Sequence, residues 1–365
     1  MADFKDEISP AMTAALAAEL HHAWDRFDRA AFTADATGGL APLALLARVH
    51  HVATALRRTM PDDFATAATV LHRTLDSATF TGWMTLPCGY YVADHGIDDP
   101  HTALPALAAL SPRFSSEGPV RVFIERHPET TFEYLHRWAG DPDEHVRRLV
   151  SEGTRPRLPW APQLRGLIAD PGPALALLDR LHDDESDCVR RSVANRLNDI
   201  SKDHADLAVT VAGRWAAAGG DRTAWVIRHG LRTLIKYGNV GALRLLGYDY
   251  DTPVTVTGLT ATPDTVPIGG QVTVTFTLTA GTSVRAVVDY AIHHAGPRGP
   301  RSPKVFKLST VTLEPAQPRA VTRRHTFREV SVRRLYPGAH RLDIQVNGRV
   351  LATTEVILTS PGPDG

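Results

Sequence analysis

Residues 141–160 read DPDEHVRRLVSEGTRPRLPW, and their first half returns at residues 184–203 as DESDCVRRSVANRLNDISKD. Each copy has an acidic turn followed by Val-Arg-Arg, and the two triplets start 43 residues apart, at Val146 and Val189. A period of this length is typical of helical-pair repeats of the HEAT or armadillo kind. The repeat therefore predicts a stack of paired helices.

The two copies differ after their arginines. The second continues as a regular helix, whereas the first breaks at Gly153 and is followed by Pro156, Pro159 and Pro162 around Trp160. Proline cannot continue a helix. Local rules are most often broken at working sites, so this interrupted repeat is a candidate functional site.

The rest of the chain divides into two parts. From about residue 9 to residue 248 apolar residues recur every three or four positions, which predicts a succession of helices. Beyond residue 250, segments rich in Val and Thr alternate apolar and polar residues between Gly, Pro and Asn turns, which predicts about seven short strands. The predicted fold is multidomain: an all-α HEAT-like helical-repeat solenoid over residues 1–248, which carries the candidate groove, followed by an all-β immunoglobulin-like sandwich over residues 249–365.

The charge is distributed unevenly between these parts. The chain has 40 Lys and Arg and 40 Asp and Glu, but residues 252–365 hold 13 basic against 7 acidic residues. Such clusters suit a phosphate backbone, although they also suit an ordinary solvated surface. The basic residues of the sandwich form two groups: Arg298, Arg301, Lys304 and Lys307, and then Arg323, Arg324, Arg328, Arg333 and Arg334.

Several classes of protein are not indicated. No apolar run approaches the ~20 residues of a membrane span, and the start lacks the pattern of a signal peptide, so a soluble cytoplasmic protein is expected. Two cysteines, Cys88 and Cys188, make neither a disulfide framework nor a metal cluster. There is no glycine-rich phosphate loop, no G-x-S-x-G and no H-E-x-x-H. We therefore expect no cofactor and no metal.

The helix that begins near Val189 has one apolar side, with Arg191, Asn195, Asn198, Asp199 and Lys202 roughly opposite. In a solenoid this polar face is expected to line the groove. Superposing the repeats places Glu152 level with Asn195, and helices pack about 8–10 Å apart, so Glu152 and Asp199 are predicted to flank a small target. The alternative for Glu152 is an ordinary solvated helix end. Trp160 is a candidate to present a π face to a cation, and the alternative is an ordinary role in the core.

A line of cations is predicted along successive helices. A helix predicted from residue 225 to residue 236 carries Arg228, Arg232 and Lys236 at intervals of four, and Arg148 and Arg191 extend the line. Phosphates suit this arrangement, and a solvated face suits it equally well.

Three segments resemble the signatures of the AlkC group of DNA alkylation-repair glycosylases: residues 115–121 (SSEGPVR), 151–160 (SEGTRPRLPW) and 191–199 (RSVANRLND). Residues 225–232 (WVIRHGLR) resemble the wider AlkC/AlkD superfamily. The resemblance spans the chain, because one branch of AlkC proteins carries an immunoglobulin-like domain after its HEAT-like solenoid.

The resemblance implies excision of cationic 3-methyladenine and 3-methylcytosine from double-stranded DNA, without extrusion of the base. It implies that Glu117, Glu152 and Asp199 are the catalytic carboxylates and that Trp160 contacts the lesion. The immunoglobulin-like domain is expected to clamp the DNA, and the protein is expected to be a monomer. With the cation pattern, the expected DNA-binding residues are Arg148, Arg191, Asn195, Arg228, Arg232, Lys304, Lys307, Arg323 and Arg324.

Two alternatives stay open at this point. One is a HEAT-repeat scaffold that binds protein partners, and the other is a DNA-binding protein of this fold without catalysis. Binding that requires duplex DNA and falls steeply with salt argues against the protein scaffold. Release of free methylated base would distinguish a DNA glycosylase from both of these alternatives.

Overall fold

A computed structural model describes residues 4–251, 253–299, 301–329 and 334–360. The predicted basic residue Arg333 lies outside these ranges. Within them, sixteen α-helices are followed by eight β-strands, which confirms the predicted fold class. The chain forms two compact units, residues 1–204 with 214–230, and residues 205–213 with 231–365.

The helices are short and follow one another closely. The longest of those described has 15 residues, and none is long and apolar enough to cross a membrane. They are α1 Pro10–Ala23, α2 Arg29–Thr37, α3 Leu45–Thr59, α4 Phe64–Thr74, α5 Thr85–His95, α6 Pro100–Leu110, α7 Val120–Arg126, α8 Pro128–Trp138, α9 Glu144–Gly153, α10 Arg165–Ala169, α11 Gly172–Leu181, α12 Asp187–Ile200, α13 Ala205–Ala218, α14 Asp221–Gly230, α15 Arg232–Lys236 and α16 Val240–Leu245.

The two Val-Arg-Arg copies lie on α9 and α12, which pack against each other. Val146 and Val189 are both buried. The first arginine of each copy donates to two carbonyl groups in the acidic turn before its own helix, Arg147 to residues 141 and 142 and Arg190 to residues 184 and 185. This shared contact explains why the acidic turn and the arginine recur together.

Side chains also join the two copies. Arg147 Nε donates to Asp184 Oδ2 over 2.7 Å, and Ser151 Oγ donates to Ser192 Oγ over 2.7 Å. Residues that are about one period apart therefore lie side by side, as expected for stacked helical repeats.

One predicted helix is wrong. The segment expected to run unbroken from residue 225 to residue 236 forms two helices, α14 and α15, with Leu231 between them at φ −88° and ψ 6°. Arg228 therefore belongs to α14, while Arg232 and Lys236 belong to α15. The apolar spacing continues across the break, which is why periodicity alone did not reveal it.

The strands form two sheets. The three-stranded sheet has the order β1-β3-β6, and the five-stranded sheet has the order β2-β8-β7-β4-β5. Their inward side chains form one core that includes Phe276, Leu278, Tyr290 and Ile344. The strands are β1 Val254–Thr262, β2 Thr265–Pro267, β3 Gln271–Ala280, β4 Val284–His293, β5 Lys304–Leu313, β6 Arg319–Thr326, β7 Gly338–Val346 and β8 Arg349–Thr359.

Candidate active site

The irregular segment after α9 is held in place by a buried arginine. Arg121 of α7 is buried, and its guanidinium donates from Nη1 to the carbonyl groups of Gly153 and Arg155 over 3.0 and 2.6 Å and from Nη2 to that of Pro162 over 2.5 Å. Trp160, at the tip of this segment, has φ 63° and a side chain that is 61% exposed. The segment is therefore a fixed loop that presents an indole to solvent.

Gly153 is the last residue of α9, and a steric reason favours glycine there. A Cβ at this position would lie 2.6 Å from Cγ1 of Val120, closer than real carbon atoms approach. The absence of a side chain lets Gly153 lie close to Val120 of α7. The helix ends at Gly153, where the break in the repeat was predicted.

Two of the predicted carboxylates are joined by an arginine. Arg155 Nη1 donates to Glu152 Oε1 over 2.6 Å, and Arg155 Nε donates to Asp199 Oδ2 over 2.9 Å. The second oxygen of Asp199 accepts from Lys202 Nζ over 2.9 Å. Burial lowers the pKa of Arg155, but Glu152 and Asp199 together raise that pKa above its ordinary value. Arg155 is therefore a cation fixed between two carboxylates.

The third predicted carboxylate has its own arginine. Glu117 lies in the turn directly before α7 and is buried, and Arg148 Nη1 of α9 lies 2.5 Å from its Oε1. Burial raises the pKa of Glu117, and the guanidinium of Arg148 offsets part of that rise. At the next position, a Cβ on Gly118 would lie 2.5 Å from the hydroxyl oxygen of Tyr90, so a larger residue there would displace that hydroxyl.

A pocket of about 400 Å³ opens beside these groups. Glu117, Glu152, Arg148 and Trp160 all line it. Asp199 does not line it and is connected to it through Arg155. The remaining lining is largely apolar: Leu46, Trp83, Leu86, Tyr90, Phe114, Ser115, Gly118, Leu158, Pro159 and Ala161.

The predicted polar face of α12 is only partly exposed. Arg191 is exposed and Asn195 is half-buried, but Asn198 and Asp199 are 4% and 2% exposed. The expectation of an open polar face is therefore wrong for its last turn. The reason is the loop after α9, whose Arg155 reaches Asp199.

The other predicted DNA-binding residues lie outside the pocket. Arg228 on α14 is exposed, and Arg232 on α15 is half-buried. In the sandwich, all four predicted cations are exposed, with Lys304 and Lys307 on β5 and Arg323 and Arg324 on β6. Burial raises the pKa of Asp289 on β4 to about 6, even though Lys307, which lies across from it, acts to lower that pKa.

Sequence reasoning assigned no role at the site to five residues of this region. Arg121, Arg155 and Lys202 position the loop and the carboxylates, while Trp83 and its neighbour Phe114 form much of the apolar lining. Arg121 and Arg155 both lie inside the quoted signatures, and that position could have marked them as residues of the site. Trp83 lies in no motif, so the sequence offered no signal for it.

The arrangement suits the stabilisation of a positive charge. Two carboxylates and an indole meet at one pocket, and a third carboxylate lies behind them. Carboxylates favour a cation by direct attraction and can accept a proton from an attacking water. An indole favours a cation through its π face.

The chain is similar to known proteins in sequence and in structure. Residues 255–360 match the family described as "Uncharacterised protein YhaZ, C-terminal Ig-like domain". The uncharacterised protein YhaZ of Bacillus subtilis is 35% identical over 308 residues, which cover 84% of this chain and 85% of YhaZ.

A solved structure is similar over nearly the whole chain. It is the Pseudomonas fluorescens alkylpurine DNA glycosylase AlkC bound to DNA containing an abasic site analog. The TM-score is 0.93 at 35% identity, and the match covers 98% of this chain and 100% of the AlkC chain. With similarity of this extent in both the helical and the immunoglobulin-like parts, the chain belongs to the AlkC family, in the branch with a C-terminal immunoglobulin-like domain.

Proposed function

We propose that the protein is a DNA glycosylase that releases alkylated bases from double-stranded DNA. The observation that carries this proposal is the pocket at which Glu117, Glu152 and Trp160 meet, in a chain that matches AlkC from end to end. The AlkC of that match is an alkylpurine DNA glycosylase and was bound to DNA. Its activity and its partner support the same assignment here.

The substrates that fit best are 3-methyladenine and 3-methylcytosine in DNA, because both carry a positive charge. When the bond from C1′ to the base nitrogen breaks, its electron pair leaves with the base and cancels that charge. No strong acid is then needed to assist departure. The sugar becomes oxocarbenium-like, and carboxylates stabilise it.

Glu117, Glu152 and Asp199 are proposed as the catalytic carboxylates. One of them accepts a proton from water as the water oxygen bonds to C1′, which completes the hydrolysis. Trp160 is proposed to contact the cationic lesion through its exposed indole. A neutral base gains little from either interaction, so the site selects cationic lesions.

We propose that the base is not extruded from the duplex. The exposure of Trp160 supports this, since the side chain that is proposed to contact the lesion lies at the surface. Phosphates are proposed to bind the exposed cations Arg191, Arg228, Lys304, Lys307, Arg323 and Arg324, with contributions from Arg148, Asn195 and Arg232.

The direct test is release of free base. DNA treated with a methylating agent is incubated with the protein, and released 3-methyladenine and 3-methylcytosine are separated and quantified. We expect catalytic release of at least one of them. Salt-sensitive DNA binding without release would instead indicate the non-catalytic alternative.

The acid limb of the activity should depend on Arg148. Removing its charge in Arg148→Gln takes away the attraction that offsets the burial of Glu117, so the pKa of Glu117 rises further. The proposed mechanism needs ionised Glu117. When the pH is lowered, the activity of the variant should therefore begin to fall at a higher pH than that of the unaltered protein. We expect the acid limb of the kcat/KM profile to move upward by about one pH unit.

Arg191→Gln is the matched control for this measurement. Arg191 occupies the equivalent position of the second repeat and is exposed. Its replacement should weaken DNA binding at most and leave the acid limb in place. An unchanged limb in Arg148→Gln would show that ionisation of Glu117 does not limit the reaction.

A further inference from the structure

A second groove lies between α7, α8, α10 and α11. Its volume is about 640 Å³, within the range of roughly 300–1,000 Å³ that ligand pockets occupy. Its described lining residues all belong to the unit formed by residues 1–204 and 214–230, and none of them lines the pocket at Glu117, Glu152 and Trp160. The groove is therefore separate from the candidate active site.

The floor of this groove is apolar. It is formed by Ile124, Phe132, Leu164 and Leu167. Phe132 is half-buried, and the other three are buried. A concave surface lined by apolar side chains, with a few polar groups around it, is typical of a binding site.

The rim of the groove is acidic. Among its described lining residues the charged ones are Glu125, Glu129 and Asp170, and all three are exposed. None of these carboxylates forms an ion pair with another residue that the structure describes. Arg126 and Arg165 are close in sequence, but neither lines the groove. A cationic partner can therefore bind here without displacing an existing partner.

Hydrogen bonds fix the segments that form the groove. The N–H group of Leu164 donates to the carbonyl oxygen of Pro156 over 3.1 Å. His204 Nε2 lies 2.7 Å from the carbonyl oxygen of Ile168, in α10. His127 Nε2, just before α8, lies 2.6 Å from the carbonyl oxygen of Ile97. The groove is thus formed in advance, which lowers the cost of binding.

Gly166 of α10 lines the groove and leaves space above its backbone. A Cβ there would meet no described atom within 4 Å, and its φ lies outside the left-handed region. Neither crowding nor backbone conformation therefore requires glycine, although glycine destabilises a helix relative to alanine. A bare backbone lets a bound molecule approach closely, which points to an occupant of the groove.

We propose that this groove binds a segment of a partner protein in which apolar residues are interspersed with Lys or Arg. The volume suits several side chains, since roughly 150 Å³ holds a benzene molecule. Apolar side chains fill the floor, and the cations face Glu125, Glu129 and Asp170. Duplex DNA has the wrong sign of charge for this rim. The inference does not depend on the proposed catalytic function.

The probe is a fluorescein-labelled amphipathic peptide of about twelve residues that alternates Lys-Lys with Leu-Leu. In one control peptide Glu replaces each Lys, and in the other Ser replaces each Leu. Binding is measured by fluorescence anisotropy. We expect saturable binding of the first peptide that weakens with salt, and at least about tenfold weaker binding of both controls.

Two variants locate the binding site. Glu129→Lys reverses one charge of the rim, and Gly166→Phe fills the open space of the groove. Each should weaken binding of the Lys-Leu peptide by at least about fivefold. Base release from methylated DNA should be unchanged in both, and this shows that the variants are folded. If Gly166→Phe does not fold, Glu129→Lys makes the test alone.

Helix α13 supplies both matched controls. Asp206 is the exposed second residue of α13, as Glu129 is of α8, and a Cβ on Gly213 would meet no described atom within 4 Å, as at Gly166. Neither residue lines the groove. Asp206→Lys and Gly213→Phe should therefore bind the Lys-Leu peptide as tightly as the unaltered protein does.

Three results would each overturn the inference. The first is no saturable binding of the Lys-Leu peptide, or binding that Glu129→Lys and Gly166→Phe leave unchanged. The second is equal binding of the Lys-Ser peptide, which would show that charge alone attracts it. The third is a dimer, detected by light scattering, that Gly166→Phe dissociates, since a second copy of this chain would then be the occupant.

Discussion

Replacing Asp199 by Asn is expected to lower base release by about 10²- to 10⁴-fold. Asparagine keeps the size of the side chain and its hydrogen-bonding oxygen, but it removes the negative charge. Asp199 is 2% exposed, so water does not replace that charge in stabilising a sugar cation. The measurement is the single-turnover rate of 3-methyladenine release, made alongside the affinity for the same duplex at fixed salt.

DNA affinity should change little in this variant, which separates loss of chemistry from loss of folding. Asp203→Asn provides the control. Asp203 lies one turn beyond Asp199, is paired with Arg157, and has a side chain that is 30% exposed. It should retain nearly full activity. Asp199→Asn that keeps more than a tenth of the activity would remove Asp199 from the proposed mechanism.

Replacing Arg155 by Ala is expected to reduce both stability and base release. The change leaves the half-buried Glu152 and the buried Asp199 without the cation between them, and only Asp199 keeps a second partner, Lys202. Breaking a buried ion pair by removing one partner costs about 3–5 kcal/mol. We expect the free energy of unfolding to fall by an amount in that range.

Urea denaturation followed by tryptophan fluorescence measures this change in one unit. All six tryptophans lie in the unit formed by residues 1–204 and 214–230, so their signal reports on that unit alone. Arg157→Ala is the control in the same loop. The pair of Arg157 with Asp203 is partly exposed, with side chains 27% and 30% accessible, and its loss should cost less than about 1 kcal/mol.

Arg155→Lys tests whether the geometry of the guanidinium matters in addition to its charge. Lysine has one compact ammonium group and cannot donate to Glu152 and Asp199 along two separate edges, as Arg155 does. We expect intermediate stability and base release below that of the unaltered protein. Full recovery of both by lysine would mean that charge alone accounts for the role of Arg155.

The repeat was predictable because its cause is local and periodic. The Val-Arg-Arg triplets keep their valines in the core and their first arginines on the preceding turn, and both contacts recur with the helix. The end of α9 at Gly153 was predicted because the first copy departs from the second there. The sandwich followed from alternation along its strands.

The candidate site was predicted less completely. Resemblance singled out Glu117, Glu152 and Trp160, which line one pocket, but their proposed roles in catalysis stay predictions. The bridge from Arg155 was not predictable, because its side chain reaches from an irregular loop to a neighbouring helix. Trp83 and Phe114, which line the pocket, lie on segments that only the tertiary fold brings together.

The three carboxylates stand on successive layers of the helical stack. Glu117 precedes α7, Glu152 lies near the end of α9, and Asp199 lies near the end of α12. The separation of neighbouring helices, about 8–10 Å, thus sets the size of the site. An extra helical pair inserted between α7 and α12 would carry the carboxylates out of reach of one substrate. The proposed mechanism therefore requires a fixed number of helical layers between α7 and α12, a requirement that DNA binding alone does not impose.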